Sequence, residues 1–431
     1  ARSLKLILSR RLVGTMSQRA LAIGEIPSLQ ERSGDVTVRD EYVKELKMPG
    51  FNRRVFVEQS DPNDVELSLT VMSQIRDFVA TVAELYNDSN PYHNFEHASH
   101  VTLSANKFLN AVVVNESSLD MTDAMDLHHR TDGLNSDPLA QFAIIFSALI
   151  HDADHTGVPN PQAAREDPDT AELYRNQSIA EQKSVDLSWD LLMDDRYEEF
   201  RMCICPSSFE LRRLRQLVVN CVMATDLFDP EFIKLRADRW EQVYPEADAW
   251  EAELHDDDHG NPRATIIIEL IMQAADISHT MQHWHVYRKW NEKLFREMYQ
   301  AFLDGRCEHP PSSDGNAPNA PTTTTTTSSS PSPPRAADPS IAWYQNELAF
   351  FDDVVIPVAQ KLLRCEEVFG NTSNECLHNA LQNRSEWESR GRDVVAEMIS
   401  NFRSSHDSRS EVTKTTDTAS DYEGYGPNSS F

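Results

Sequence analysis

The sequence predicts an all-α fold, and two observations carry this expectation. Apolar residues recur at helical spacing along several segments, whereas the apolar–polar alternation of half-buried strands and the turn pairs of β-hairpins are nearly absent. A chain of this pattern buries its apolar surface by packing helix on helix. With 431 residues it is long enough for one large core without disulfides.

The predicted helices follow one another along the chain. The first has apolar residues at helical spacing at Val65, Met72, Ile75, Val79, Val82 and Tyr86. Further helices are expected over 141–150, 211–225 and 265–279. Because residues 1–63 lack a sustained period, we interpret them as an N-terminal linker or extension and 64–403 as the main domain.

Two segments have a composition that does not support a core. Residues 309–339 are rich in Pro, Ser, Thr and Asn and include six consecutive threonines, so we expect a disordered insertion there. Residues 404–431 form a second Ser/Thr/Asp-rich stretch, which we expect to be a disordered tail.

The charge balance restricts the classes of partner. The chain has 40 basic and 69 acidic residues, a formal charge of −29, so its field repels the phosphate backbone of nucleic acids. A phosphate-bearing substrate would need local positive charge from metal ions or a few His and Arg side chains. The six cysteines form no disulfide framework, which favours a reduced, intracellular setting, and no apolar run is long enough to span a membrane.

Polar residues follow the apolar segment 141–150 directly. His151 and His155 are four residues apart and share a helical face, and Asp152 beside them has two oxygens that can bridge two cations. Core helices rarely end in such a cluster unless something compensates its desolvation. This cluster is the strongest local indication of a metal site.

Two further clusters have the same character. His93 and His97 are again four residues apart, and Asp276 stands at the end of another apolar segment. Two imidazoles and two carboxylates suit a zinc-like ion, and a neighbouring oxygen-rich site that shares Asp152 suits Mg²⁺ or Mn²⁺. Each cluster alone could equally be a helix cap or a core hydrogen bond. Together they predict a metal-dependent phosphohydrolase of the broad His–Asp type.

Four motifs of the chain form a recognisable series. They are Tyr92-His93-Asn94-x-x-His97-Ala98, His151-Asp152-x-Asp154-His155-x-Gly157-x-x-Asn160, Ala224-Thr225-Asp226 and Ala275-Asp276-Ile277-Ser278. In order and spacing this series resembles the signature of class I 3′,5′-cyclic-nucleotide phosphodiesterases, over roughly residues 65 to 400 and interrupted by the insertion. The resemblance implies an all-α catalytic domain with a binuclear metal pocket.

The resemblance also implies a role for each matching position. The ligands of the first metal, expected to be Zn²⁺, are His97, His151, Asp152 and Asp276, and Asp152 also reaches the second metal, expected to be Mg²⁺ or Mn²⁺. The residues around the second metal and its waters are His155, Asn160, Glu181 and Thr225.

The remaining implied roles concern the substrate. His93 resembles the general acid that protonates the departing O3′, Tyr92 the pocket wall beside it, and Phe350 the aromatic ring that stacks on the purine. A water that bridges two cations is acidic enough to be hydroxide near neutral pH, and its in-line attack would open the cyclic phosphate to the 5′-monophosphate. The expected partner is therefore a cyclic nucleotide, and the chain could belong to a longer multidomain signalling protein.

Several positions depart from the family pattern. His100, Lys183 and Ser184 replace family residues that lie behind the ligands, and His279 changes a base-contacting position. Substitutions behind the ligands alter their hydrogen bonding, so we expect a changed rate or metal preference and not a loss of activity.

The most consequential departure is Glu347, which stands where the family has a purine-binding glutamine. An ionised carboxylate only accepts hydrogen bonds; guanine offers N1–H and N2–H₂ as donors, whereas adenine presents an acceptor at N1. We therefore expect a lean toward cyclic GMP over cyclic AMP. The alternative is that Glu347 faces solvent or is protonated, which would leave selectivity to other contacts.

Two rival functions stay open at this level. One is a general His–Asp phosphohydrolase acting on nucleoside phosphates, which Tyr92, His93 and Phe350 disfavour. The other is a catalytically weak regulatory module that binds a cyclic nucleotide without turning it over, which the departures from the family pattern favour.

Overall fold

A computed structural model describes Lys5, Ile7, Leu8 and residues 36–59, 61–113, 120–245, 261–306 and 338–417. Side chains are described as far as residue 404. These ranges contain helices and connecting segments but no β-strand, so the predicted all-α class is confirmed. The predicted insertion lies outside the described residues up to residue 337, and so does the end of the predicted tail from residue 418.

Seventeen α-helices occur in the described residues from 36 onward. The first nine are α1 (Arg53–Glu58), α2 (Leu69–Leu85), α3 (Phe95–Val112), α4 (Met121–Arg130), α5 (Pro138–Ile150), α6 (Asn160–Glu166), α7 (Pro168–Leu173), α8 (Ile179–Met193) and α9 (Glu198–Ile204). The others are α10 (Ser208–Met223), α11 (Pro230–Val243), α12 (Pro262–Asp276), α13 (Trp284–Leu303), α14 (Pro339–Phe350), α15 (Ile356–Arg364), α16 (Glu366–Phe369) and α17 (Asn371–Asp417). The predicted helices over 141–150, 211–225 and 265–279 correspond to α5, α10 and α12, and the first predicted helix to α2.

The centre of the molecule is built on α5 and α12. Both helices are apolar around most of their circumference, which is typical of a helix buried on every side. Helix α5 packs between α3 and α10, and α12 crosses α3 and α5. Asp137 caps the start of α5 by accepting from the backbone N–H groups of Leu139 and Ala140, and Pro138 fixes its first turn. The carboxyl ends of α5 and α12 thereby become fixed points of the core.

A second group of helices covers one side of this centre. Helices α13, α14 and α15 pack against the long α17. Between α14 and α15 the chain makes one π-helical turn, Phe351–Val355, of the kind that often marks a functional position. Phe351 and Val355 are fully buried in that turn, so it is anchored in the core.

Residues 37–49, which we call the strap, cross the core helices before α1. Val38 and Leu46 are buried in the main core cluster. The backbone N–H of Leu46 donates to Thr265 Oγ1 at 2.9 Å, and the N–H of Met48 donates to Asn261 Oδ1 at 2.7 Å. The strap is thus packed on the domain, and the predicted domain start at residue 64 stays a prediction.

The last helix, α17, runs on from the main domain into the segment 404–431 and ends at Asp417. The predicted tail boundary at 404 therefore falls within a helix. Among the described residues, no helix combines the length and apolar composition that a membrane crossing requires.

Candidate active site

Three helix termini bring the predicted metal ligands together. Asn94 caps α3 by accepting from the backbone N–H groups of Glu96 and His97, which fixes His97 in the first helical turn. His151 and Asp152 follow the last residue of α5, and Asp276 is the last residue of α12. We call His97, His151, Asp152 and Asp276 the metal end of the site.

The donor atoms of the metal end converge on one point. His97 Nε2 lies 3.1 Å from Asp276 Oδ1 and 3.5 Å from Asp152 Oδ2. His151 Nε2 lies 3.1 Å from Asp152 Oδ2 and 3.4 Å from Asp276 Oδ1. Four ligands held tetrahedrally at ~2.1 Å from a zinc-like ion stand ~3.4 Å from one another. The four His–Asp distances are compatible with this spacing, and the donor atoms of His97, His151 and Asp276 all lie within 4.8 Å of one another.

The tautomer of His151 also suits a metal ligand. Its Nδ1 lies 3.1 Å from the carbonyl oxygen of Ala148, a contact in which Nδ1–H donates, so the lone pair is left on Nε2. His151 Nε2 is buried and makes no hydrogen bond within the described residues. Burial alone would raise the pKa of Asp276, but the adjacent imidazoles of His151 and His97 hold that pKa well below its usual range. Buried anions and an unpaired imidazole nitrogen are compensated by a divalent cation.

His93 forms a buried pair with Glu297 of α13, a residue that sequence reasoning did not single out. His93 Nδ1 makes a short contact with Glu297 Oε1, and Glu297 Oε2 accepts from the backbone N–H of Tyr92 at 2.8 Å and of His93 at 3.0 Å. Burial lowers the pKa of His93, but the charge and hydrogen bond of Glu297 outweigh it and raise that pKa to about 9. His93 is therefore cationic at neutral pH. The signal in the sequence that could have identified Glu297 is its position, as an acidic residue, on the buried face of α13.

His155 lies against His93, with ring centroids 3.8 Å apart. Burial and the neighbouring positive charge of His93 lower the pKa of His155 to about 4, so its ring is neutral. The backbone N–H of Gly157 donates to His155 Nδ1 at 3.1 Å. Asn90, also missed from the sequence, donates its amide to the carbonyl oxygens of His93 at 3.0 Å and His155 at 2.8 Å. Asn90 thus joins the loops that carry the two histidines.

The residues expected around a second metal lie on two further elements. The side-chain amide of Asn160 donates to Glu181 Oε2 at 3.0 Å, and its Oδ1 accepts from the backbone N–H of Ala180 at 2.9 Å. Burial and the nearby Asp226 raise the pKa of Glu181 to about 8. Thr225 follows α10 and donates its hydroxyl to the Val222 carbonyl at 2.7 Å. The structure therefore joins Asn160 to Glu181, while Thr225 makes no hydrogen bond to either of them within the described residues.

Tyr92 forms the wall between the metal end and the rest of the site. Its ring centroid lies 4.5 Å from that of His97, 4.7 Å from that of His93 and 5.8 Å from that of His279. His279 is buried, and desolvation with the nearby imidazoles lowers its pKa to about 3. A neutral His279 ring thus lines this part of the site.

Glu347 points inward. Glu347 is only 8% exposed, and the hydroxyl of Tyr287 donates to Glu347 Oε2 at 2.7 Å. Burial raises the pKa of Glu347 to about 7, although the hydrogen bond from Tyr287 lowers it. The alternative of a solvent-facing Glu347 is therefore wrong. Phe350 is half-buried against the core, and we call Tyr287, Glu347 and Phe350 the base end.

The departures from the family pattern have defined partners. Lys183 Nζ lies 2.6 Å from Asp154 Oδ2, and Ser184 donates its hydroxyl to the Glu181 carbonyl at 3.0 Å. His100 lies 3.3 Å from the amide nitrogen of Gln282. These side chains lie behind or beside the candidate ligands and are not among the converging donor atoms.

Comparison with known proteins agrees with this arrangement. The profile of the family described as 3′5′-cyclic nucleotide phosphodiesterase matches residues 92–326, more than half of the chain. A human protein, dual specificity calcium/calmodulin-dependent 3′,5′-cyclic nucleotide phosphodiesterase 1C, is 32% identical over 212 residues, which are 49% of this chain and 25% of that protein. The human 1B relative is 29% identical over 211 residues, which are 49% of this chain and 33% of that protein. The match therefore spans a third or less of these relatives.

Solved structures carry the same fold. The phosphodiesterase domain of Salpingoeca rosetta rhodopsin phosphodiesterase superposes with a TM-score of 0.51 at 18% identity, covering 78% of this chain and 87% of that chain. A second structure, of the phosphodiesterase domain of the RhoPDE fusion protein from the same organism, also gives a TM-score of 0.51 at 18% identity and covers 84% of this chain and 97% of that chain. With the motif series converging in space and the family profile matching across it, the chain belongs to the 3′5′-cyclic nucleotide phosphodiesterase family.

Proposed function

We propose that this chain hydrolyses 3′,5′-cyclic nucleotides to nucleoside 5′-monophosphates. The observation that carries the proposal is the convergence of two imidazoles and two carboxylates at the metal end, with atoms 3.1 to 3.5 Å apart. Family membership gives the substrate class. The positive His93 beside this centre supplies what the remaining step needs, a proton for the leaving oxygen.

The proposed roles of the chain's own residues follow from their contacts. Glu297 holds His93 through Nδ1 and keeps it protonated, which leaves Nε2–H to donate to the departing O3′. Asn90 fixes the His93 and His155 loops relative to each other. Neutral His155, whose Nδ1 accepts from Gly157, carries its proton on Nε2 and can orient a water, and Glu181 can accept a proton once it is ionised.

The metal end is the proposed first site, with Zn²⁺ as its occupant, and Asp152 is the proposed bridge to a second site for Mg²⁺ or Mn²⁺. Asn160, Glu181 and Thr225 are the proposed neighbours of that second site. When bound, such cations lower the pKa of a water and neutralise charge on the phosphate. Cations held by these histidines and aspartates would supply the local positive potential that a chain of net charge −29 otherwise lacks.

The direct test is a hydrolysis assay of the full chain with cyclic AMP, cyclic GMP, a linear nucleoside monophosphate and a nucleoside triphosphate. Protein stripped by chelation and then given Zn²⁺ with Mg²⁺ or Mn²⁺ is expected to convert only the cyclic substrates. Turnover of the linear substrates instead would favour a general phosphohydrolase. Binding of cyclic nucleotide without turnover, in protein with less than one metal per chain, would favour a regulatory binding module.

We further infer that Glu347 tilts the base preference toward cyclic GMP. Its carboxylate has one oxygen engaged by Tyr287, and the other is available as an acceptor for the guanine N1–H or N2–H₂ groups. Because the pKa of Glu347 is raised to about 7, a neutral form that can also donate coexists with it near neutral pH. The expected preference is therefore modest, and the named relatives are described as dual specificity.

The test of this selectivity is kcat/KM for the two cyclic nucleotides. Glu347→Gln is expected to shift the ratio toward cyclic AMP, whereas Gln345→Glu on the exposed side of the same helix is expected to leave it unchanged. If the ratio of kcat/KM for the two cyclic nucleotides is unchanged in Glu347→Gln, Glu347 has no role in selectivity, while the proposed hydrolysis is unaffected.

The setting of the protein is also a proposal. Cys221, Cys365 and Cys376 are buried free thiols, which favours a reduced, intracellular compartment. Since the match covers a quarter to a third of the calcium/calmodulin-dependent relatives, we infer that this chain can act as the catalytic part of a multidomain signalling protein.

A further inference from the structure

Arg39, in the strap, contacts the start of α8, which carries Glu181, and also Asp229 at the end of the loop that carries Thr225. Its guanidinium donates to Asp229 Oδ2 at 2.7 Å and Oδ1 at 3.0 Å, a bidentate pair, and to Glu231 Oε2 at 2.6 Å. The Arg39 side chain is only 10% exposed and that of Asp229 7%. A shielded bidentate pair of this kind fixes geometry more firmly than a surface ion pair.

One path leads from Arg39 to the loop that follows α10. Arg39 Nη1 donates to Ser178 Oγ at 3.2 Å, and Ser178 Oγ donates in turn to Asp226 Oδ2 at 2.8 Å. Asp226 Oδ1 accepts from the backbone N–H groups of Phe228 and Asp229. Asp226 is the residue after Thr225, so this path holds the loop on which Thr225 stands.

A second path leads to the start of α8. The backbone N–H of Arg39 donates to Gln182 Oε1 at 3.0 Å, and Gln182 Nε2 donates to the carbonyl oxygens of Tyr174 and Gln177. Gln182 follows Glu181 directly. Ser178, the residue that caps α8, has a φ of 40°, a left-handed conformation that a serine adopts only when its surroundings hold it.

Both paths are buried. Gln182 is fully buried, Ser178 is 3% exposed and Asp226 8% exposed.

We propose that Arg39 is a positioning residue for the second cation: it ties the strap to the Glu181 turn and the Thr225 loop at once and holds both at the spacing that binding requires. The inference rests on the proposed function, because it concerns the second metal of that site.

The test measures metal binding separately from turnover. The zinc-loaded full chain is titrated with Mn²⁺, and free Mn²⁺ is followed by its electron paramagnetic resonance signal. Arg39→Gln is expected to weaken Mn²⁺ binding about tenfold, the lower end of the effect found when residues behind metal ligands are removed. In parallel, the Mn²⁺ concentration for half-maximal hydrolysis is expected to rise by the same factor while kcat at saturating Mn²⁺ is nearly kept.

Arg213→Gln is the matched control. Arg213 also joins the strap to the core, through the Lys47 carbonyl and Asp137, but none of its described contacts reaches Ser178, Gln182 or Asp226. Arg213→Gln is expected to lower the melting temperature without weakening Mn²⁺ binding. If both variants weaken Mn²⁺ binding equally, the effect is general loosening and the inference is overturned.

A second variant covers the case in which Arg39→Gln does not fold. Asp229→Asn keeps an acceptor for the start of α11 but removes the charge that holds Arg39. It is expected to weaken Mn²⁺ binding severalfold, and unchanged binding contradicts the inference. Failure of the proposed function is distinguishable, because wild-type protein would then show no metal-dependent hydrolysis at all, whatever Arg39 does.

Discussion

The metal end and the base end of the site are held in different ways. The ligands of the metal end stand at or next to the termini of α3, α5 and α12, where the backbone of the core fixes them. At the base end, Glu347 lies within α14 and is oriented by one side-chain hydrogen bond, from Tyr287 on α13. Four donor atoms therefore converge at one end, whereas the other end depends on a single contact between two helices.

This difference in support corresponds to a difference in role: the metal end is proposed to carry out hydrolysis, and the base end is proposed to select the base. Because buried helix ends cannot move without disturbing the core, the metal end is expected to tolerate almost no change. A side chain held by one hydrogen bond can exchange its proton or be substituted at a cost of about 1 kcal/mol. The base end is thus the part of the site that can vary while hydrolysis is kept.

The largest effect is expected at the metal end, with Asp276→Asn. This change removes one of the two anionic ligands, so we expect loss of bound zinc and a fall in kcat on the order of 10³-fold, since metal stabilisation contributes several kcal/mol. Zinc content by mass spectrometry and steady-state hydrolysis of cyclic GMP measure both. Asp353→Asn, on an exposed position, is the control. Full zinc content together with near-normal kcat in Asp276→Asn would rule out the assigned ligand set.

Glu297→Gln probes the acid beside the metal end. Without the carboxylate, the pKa of His93 is expected to fall from about 9 toward the ~6.5 of a free imidazole. The proton donor must be charged, so the basic limb of the kcat profile moves to lower pH. At pH 8 the protonated fraction drops from about 90% to about 3%, a loss of about 30-fold in kcat.

The same variant has an internal control. At pH 6 His93 stays largely protonated with or without Glu297, so the deficit is expected to shrink to less than about twofold. A deficit that is equal at pH 6 and pH 8 contradicts the role of Glu297 in keeping His93 charged and indicates a structural defect instead.

The parts of the site that were predictable share a property. His97, His151, Asp152 and Asp276 are polar residues at the ends of apolar segments, and that pattern is visible in the sequence because burial of such groups is costly. Their convergence was predicted, and the structure brings them together. Glu297 was missed because one acid on the apolar face of a helix is a weak signal by itself, and its partner is about two hundred residues away.

The fold was predictable to a similar degree. Helical periodicity indicated α5, α10 and α12, because α5 and α12 are largely apolar and α10 buries one apolar face. The strap was not recognised as packed, since its anchoring depends on polar bonds such as that of Leu46 N–H to Thr265, which leave no apolar period. The composition of α17 beyond residue 404 likewise favoured a tail over a helix.

Gly157→Ala tests the junction between the two histidine loops. Gly157 has a φ of 76°, and an added Cβ would lie 2.8 Å from Asn90 Oδ1, so the amide that joins His93 and His155 must move. We expect about 2 kcal/mol less stability and about a tenfold lower kcat, because small displacements of catalytic groups are costly. Denaturant unfolding and steady-state kinetics measure the two effects.

Gly305→Ala separates backbone strain from contact. Gly305 has a similar φ of 72°, but an added Cβ there meets nothing within 4 Å. It is expected to cost about 1 kcal/mol of stability and to leave kcat unchanged. Equal losses of kcat in the two variants would show that the Asn90 contact is not what matters.

The smallest effect is expected at the base end, in the pH dependence of selectivity. Glu347, with its pKa raised to about 7, is mostly a neutral acid at pH 6, which both donates and accepts, and mostly a carboxylate at pH 8, which only accepts. The ratio of kcat/KM for cyclic GMP over cyclic AMP is therefore expected to rise with pH, by about fivefold for one hydrogen bond of ~1 kcal/mol. Titration of His93 affects both substrates alike and cancels in this ratio.

Two variants sharpen this last expectation. In Glu347→Gln the ratio is expected to be flat from pH 6 to pH 8, since no proton is exchanged at that position. In Tyr287→Phe the carboxylate loses the hydrogen bond that lowers the pKa of Glu347, so the midpoint of the rise is expected to move to higher pH. If the ratio of kcat/KM for cyclic GMP over cyclic AMP still rises with pH in Glu347→Gln, another group causes the pH dependence. The base end would then not differ from the metal end by an exchangeable proton on Glu347.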